Sequence, residues 1–233
     1  MHRTILYISK RFVHIKAGEG RKVGLTFFYF FLVITAYYVI KPASRSLVLG
    51  DLGSRLVPYW DLISALLMGP MVALFSRLVD RVEKRRLVTV TFWSIAVCLL
   101  VFWKLLQWPH RWVAAAFYIW VSIFSVLVVT LFWLVANDLY HPREAKRLFG
   151  FIGSGGILGG IVGSSIAAVG ASMFGTEQLL LCSAAILLGC WWVVQRLWVC
   201  APAGADAAIP PASELRHQTS HPQIGRASCR ERV

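Results

Sequence analysis

Two cations four residues apart are the first residues in this chain whose types and spacing suit chemistry. Lys41 and Arg45 follow directly on the apolar run from Val23 to Ile40, in the string Lys41-Pro42-Ala43-Ser44-Arg45. On a continuing helix, residues i and i+4 share a face. An ammonium and a guanidinium so placed, facing a cavity between helices, could hold a phosphate or a carboxylate. The alternative is that both side chains lie along the end of the run and reach outward to lipid headgroups. Asp61 is the one acid inside any apolar run. It could neutralise Arg45 when no anion is bound, carry a coupling proton, or simply mark a membrane interface.

What positions these residues follows from composition. The chain has 233 residues, 58% hydrophobic and only 15% charged. Soluble domains of this size are about a quarter charged. The apolar residues also come in long runs, and about 18 or more with few charges predict a membrane-spanning helix. Six spans are expected: 23–40, 58–75, 87–106, 112–136, 148–174 and 178–199. The expected fold is therefore an all-α membrane protein of six transmembrane helices, residues 23–199, behind a basic terminus at residues 1–22. The formal charge of +13 sits in short loops between the runs, which predicts membrane anchoring and no nucleic-acid partner. Fourteen basic residues fall on the N-terminal side of the membrane and five on the other. Positive charge is retained in the cytoplasm, so the N-terminus is expected there, in a bacterial inner (plasma) membrane.

The charged turns on that side form a second constellation. Ser76–Arg86 (SRLVDRVEKRR) carries Asp80, Arg81 and a closing basic cluster. Asn137 and Asp138 end the fourth span, and Glu144, Lys146 and Arg147 open the fifth. These seven residues are expected to form a cytoplasmic gate, latching helix ends in one state and releasing them in another. The bland alternative is ordinary helix-end charge. Pro142, with Glu144 two residues on, suits a helix start.

Between Gly150 and Gly163 seven glycines recur at three- and four-residue intervals: Gly150, Gly153, Gly155, Gly156, Gly159, Gly160 and Gly163. A dinucleotide fingerprint needs GxGxxG between a strand and a helix, but Leu158 occupies the last glycine position, and no GK[ST] follows for a phosphate loop. Rows of small residues in a membrane helix instead let two backbones approach closely. Helix packing is the expected role. The cysteines show no metal or redox spacing, no nucleophile–base constellation is visible, and no enzyme activity or cofactor is expected.

Six spans with a following linker match one half of a transporter built from two six-helix halves. The turn Ser76–Arg86 resembles the major facilitator loop, with Ser76 and Glu83 where that pattern has glycines. Phe132-Trp133-x-x-Ala136-Asn137-Asp138, the turn ending EAKRLFG (Glu144–Gly150) and the glycine run resemble the nucleotide transporter family that includes ATP/ADP translocases of plastids and intracellular bacteria. KPASRSLVL (Lys41–Leu49) resembles that family's basic motif after the first span. Two departures stand out. Ser46 follows Arg45 where the family commonly has aspartate. The family's exchangers also carry a glutamate about eleven residues before Phe132-Trp133, where this chain has Val121.

The resemblance implies the N-terminal half of a major facilitator-type secondary transporter. It would move a small anionic solute, nucleotide by the family's example, by alternating access within a lipid bilayer, and its partner would be a C-terminal half of the same protein. Two other readings stay open: an organic-solute or drug carrier without nucleotide preference, and a membrane scaffold fused to a soluble sensor domain. Residues 200–223 read as a cytoplasmic linker. Residues 224–233 (IGRASCRERV) read as the in-frame translation of a sequencing-library adapter, so the native protein is expected to continue beyond about Gln223.

Overall fold

The structure is a computed structural model that describes residues 20–108 and 111–200. The basic residues 1–19, the expected linker beyond residue 200 and the expected adapter stretch lie outside the described residues. Among these there is helix and no strand. Six long helices follow in order: α1 (Gly20–Leu52), α2 (Val57–Arg81), α3 (Lys84–Leu106), α4 (Arg111–Leu139), α5 (Pro142–Phe174) and α6 (Gln178–Cys200). A short 3-10 turn, Ser54–Leu56, leads into α2. Each of the six is long and apolar enough to cross a membrane, and the chain is an integral membrane protein.

α1 is the centre of the bundle. It is apolar on every side, as a helix surrounded by others must be, and it packs against α5, α6 and α4. Thr26, Tyr29, Val33, Ala36 and Ile40 form one buried stripe at three- and four-residue steps; Thr35, Val39 and Ala43 form another. α3 lies against α6 and α4, and α2 packs mainly on α4. Large apolar side chains remain exposed along α2 and α5, among them Leu62, Leu66, Ile157 and Ile161. Water would penalise such surface and a bilayer does not.

Several helices run past the apolar spans read off the sequence; α2, for one, continues to Arg81. The first apolar run was expected to end at Ile40, but α1 continues through Pro42 to Leu52. Proline removes one amide donor and crowds the preceding turn, a local cost that the buried Ala43, Ser44 and Val48 offset by packing. The fifth apolar span was expected from Leu148, and its helix begins at Pro142, the start that Pro142 and Glu144 suggested. His141 before it is extended (φ −70°, ψ 152°), as a residue preceding proline prefers, and Glu144 falls in the first turn. The links after α1 and α5 turn at Gly53 (φ 78°, ψ 159°) and Gly175 (φ 86°, ψ 160°), a region essentially confined to glycine.

Candidate functional site

Because α1 stays helical through Pro42, Lys41 and Arg45 share a face. That face meets α2 and α4. Lys41, Arg45 and Asp61 all line one cavity of about 210 Å³, together with Tyr37, Ser44, Met68, Tyr118, Val121, Ser122 and Ser125. A neighbouring cavity of about 330 Å³ shares Arg45, Asp61 and Tyr118 with it. The larger of the two falls within the size range of small-molecule sites, ~300–1,000 Å³, and the smaller falls below it.

The two cations in this cleft make no direct ion pair with its carboxylate. Tyr118 on α4 donates its hydroxyl to Asp61 Oδ1 at 2.5 Å, which fixes the carboxylate across the α2–α4 boundary. Arg45 lines the same cleft as this tyrosine and carboxylate. The Lys41 ammonium lies over the Tyr37 ring at 5.2 Å and near the Tyr38 ring at 5.6 Å. Neither cation forms an ion pair with a described carboxylate; the ion pairs among described residues are elsewhere. Ser44 donates to the Lys41 carbonyl at 3.0 Å. Two cations, one tethered carboxylate and three serine hydroxyls in one cleft can bind an anion and hydrogen-bond its polar substituents. Tyr118 and the serines gave no sequence signal, because only tertiary packing brings them to Lys41.

The gate residues divide. Lys84, at the start of α3, pairs with Asp138 at the end of α4. Asp80 and Arg81, on the preceding helix end, are exposed and form no ion pair with a described residue. The contact to α4 is thus made by a lysine of the closing cluster rather than by Arg81. Glu144 meets Lys22 at 4.0 Å, and Lys22 also donates to the Leu139 carbonyl and lies 4.4 Å from the Tyr140 ring centre. Lys22 was legible only as one more basic residue near the terminus, yet it ties the start of α1 to the α4–α5 link. The Tyr140 hydroxyl donates to Thr26 Oγ1 at 3.0 Å, reinforcing that joint. Asn137 and Lys146 are exposed, and Arg147 is half-buried.

The glycines line up against α1 in register. A Cβ added at Gly155 would fall 2.8 Å from the Phe27 carbonyl oxygen, and one at Gly163 2.7 Å from that of Thr35. One at Gly159 would collide with the Phe31 carbonyl. Steps of four on α5 match steps of four on α1 in the same direction, so the two helices run parallel. Gly156 faces the Phe30 ring and Gly160 touches the Tyr38 ring, whereas Gly150 and Gly153 have open space. Thr35 Oγ1 donates to the Gly159 carbonyl at 3.2 Å across the seam. The Phe132-Trp133 pair supports the same region. Phe132 stacks on Phe30 at 4.1 Å, and Trp133 meets Phe149 edge-on at 5.3 Å.

With this geometry in place, the comparisons with known proteins can be read. The family model described as TLC ATP/ADP transporter matches residues 102–194. The match covers α4, α5 and most of α6, including Tyr118, Val121 and the glycine seam, and stops short of Lys41, Arg45 and Asp61. The chain is also similar to "ADP,ATP carrier protein 1" of Chlamydia muridarum, at 24% identity over 131 residues, covering 49% of this chain and 24% of the relative. "ADP,ATP carrier protein 1" of Chlamydia trachomatis serovar D matches with the same identity and coverage. The matched stretch thus spans about a quarter of the length of these curated relatives. No solved structure matches the chain. The matching family is distinct from the major facilitators, so the major facilitator assignment suggested by Ser76–Arg86 is not supported; that turn is explained equally well as a basic loop at a membrane surface.

Proposed function

We propose that this chain is the substrate-clamping part of a carrier for a small organic anion, a nucleotide being the substrate class favoured by its similarities. Lys41 and Arg45 form the clamp, Asp61 held by Tyr118 is the internal counter-charge, and the Lys22–Glu144 and Lys84–Asp138 contacts belong to a gate. The single observation that carries this reading is the convergence of Lys41, Arg45 and Asp61 on one cleft between α1, α2 and α4. Charged groups within membrane spans are costly, and they persist where they line a path for solute or ions. The N-terminus is taken as cytoplasmic from the distribution of basic residues. The cleft, at the opposite ends of the helices from the gate, then opens away from the cytoplasm. Alternating access would expose it to each side in turn, with further helices of the full-length protein completing it.

Uptake by the full-length protein in intact cells tests this, with labelled ATP, ADP and non-nucleotide organic anions compared. A hydrogen bond to a charged group contributes about 1.5–3 kcal/mol. Loss of both cations in Lys41→Ala/Arg45→Ala is therefore expected to lower uptake at limiting substrate by at least about a hundredfold. Unchanged uptake in that variant would remove the clamp. Transport of other organic anions in preference to nucleotides would retain the clamp and reject the nucleotide assignment. One observation favours such a broader substrate: Val121 lines the cleft, in the region where the family resemblance implies a glutamate.

A further inference from the structure

The proposed clamp leaves most of its solute without a place. Its cleft of about 210 Å³ is smaller than the ~300–1,000 Å³ of small-molecule sites, so it holds an anionic head and little more. A larger groove of about 590 Å³ lies between α1 and α5. Phe30, Ile34 and Tyr38 line it from α1, and Ile157, Ile161 and Ser164 from α5. None of its described lining residues is charged, so it suits an uncharged part of a solute.

Groove and clamp occupy one face of one helix. Phe30, Ile34, Tyr38, Lys41 and Arg45 follow one another at steps of four, four, three and four. That spacing keeps side chains on one side of a helix with 3.6 residues per turn. Tyr38 stands where the two meet. Its ring lines the groove, and the Lys41 ammonium lies 5.6 Å from the ring centre. A face carrying two cations is costly toward hydrocarbon and belongs along a solute path, and the groove continues along that same face. Its far end, at Phe30, lies about 16 Å from Lys41 along the axis.

The two rings of the groove differ in what they can still receive. Gly156 and Gly160 let both settle against α5: an added Cβ would fall 2.5 Å from the Phe30 ring at Gly156 and 3.7 Å from the Tyr38 ring at Gly160. Gly153 meets nothing within 4 Å and keeps the groove open. Phe30 is already stacked on Phe132 at 4.1 Å, whereas Tyr38 is 37% exposed. We infer that this groove is a second subsite of the solute path, taking a planar aromatic ring borne by the anion whose head sits at Lys41 and Arg45. The inference rests on the clamp reading given above. Tyr38 stacks on the ring while its neighbour Lys41 holds the anionic end. For a nucleotide the ring is the base, and such stacking accepts any base because each has a π-face. An inorganic or short aliphatic anion would fill the clamp and leave the groove empty.

Equilibrium binding to the purified full-length protein in micelles tests this with two pairs of anions: ATP against inorganic tripolyphosphate, and phenyl phosphate against methyl phosphate. Within each pair the phosphate chain has the same length and only one member carries a ring. The wild type is expected to bind the ring-bearing member about tenfold more tightly. Tyr38→Ala should lose that preference while its affinity for tripolyphosphate and methyl phosphate stays unchanged, and Tyr38→Phe should restore it. Preference in the phenyl phosphate pair alone would keep the groove and reject the nucleotide as substrate. Lack of preference in both pairs, read on the wild type with no variant to fold, overturns the proposal and leaves the groove to a lipid chain or a neighbouring helix. So does a preference that survives Tyr38→Ala. An equal loss of ring-bearing and ringless anions in that variant also overturns it, making Tyr38 a support for Lys41. Failure of the wild type to bind any of the four anions removes the clamp itself, and the groove with it.

Discussion

Replacing one glycine of the α1–α5 seam by alanine, with a second glycine of the same helix as its reference, tests how closely these backbones approach. A Cβ at Gly159 would collide with the Phe31 carbonyl, which is backbone and cannot rotate away, whereas one at Gly153 would meet nothing within 4 Å. Both changes are Gly→Ala inside α5, so the helix-propensity gain of about 1 kcal/mol cancels in the difference. What remains is the cost of prising the helices apart. Opening a van der Waals contact by ~0.5–1 Å forfeits roughly a quarter to a half of its attraction, and neighbouring contacts at Gly155 and Gly163 open with it. Separation also lengthens the Thr35–Gly159 hydrogen bond. Overpacking of this kind costs about 1–3 kcal/mol. Gly159→Ala should therefore unfold more easily than Gly153→Ala by about 1–3 kcal/mol, measured by reversible denaturation in mixed micelles. Equal stabilities, within about 0.5 kcal/mol, would refute close packing at this seam.

Other changes separate the contacts at the two helix ends. A double-mutant cycle on Lys84 and Asp138 should return about 0.2–1 kcal/mol, since both side chains are partly exposed. Lys22→Ala should cost more stability than Lys84→Ala in the same denaturation assay, because Lys22 serves the Leu139 carbonyl, the Tyr140 ring and Glu144 together. Ser183→Ala removes a buried bond from α6 to the Ala36 carbonyl and should cost about 0.6 kcal/mol, typical of interhelical bonds in membranes. Tyr118→Phe frees Asp61 from its 2.5 Å donor. It should lower full-length uptake about tenfold or more while the folded yield stays unchanged, and full uptake would show that the tether is dispensable.

The number and placement of the helices were legible because a membrane span announces itself by length and by the scarcity of charge. The ends were less so. Hydropathy stops α1 at Ile40 because Lys41 and Arg45 are charged, yet the helix continues, since lost apolarity does not break backbone hydrogen bonds. The glycine pattern carried the spacing of the α1 contact but not its selection among rows. Only the row Gly155, Gly159 and Gly163 lies against α1 carbonyls, because a straight helix drifts off a three-residue row and turns Gly150 and Gly153 away. The partners of Lys22 and Lys84 lie far along the chain, and charge counting assigns such residues to a membrane side without saying which carboxylate they meet.

Val121 shows how a single departure gains meaning from its place in the fold. In the sequence it is one apolar residue in an apolar span, set apart only by the family resemblance, which implies a glutamate in that region. In the structure it is buried and lines the cleft that holds Lys41, Arg45 and Asp61. A carboxylate at this position would therefore stand in the neighbourhood of the two cations. A second acid there would offset much of their charge in a setting of low dielectric, where a pair of opposite charges attracts strongly. With valine in its place, Asp61 is the one acid among the lining residues, and its hydrogen bond to Tyr118 already occupies one oxygen. The cleft keeps a net positive charge before any solute enters. On the proposed reading, such a site would recruit an anion by attraction from the start, with no second carboxylate among its lining residues to displace. The proposed clamp thus rests on what the structure places around Lys41 and Arg45 as much as on the two cations themselves.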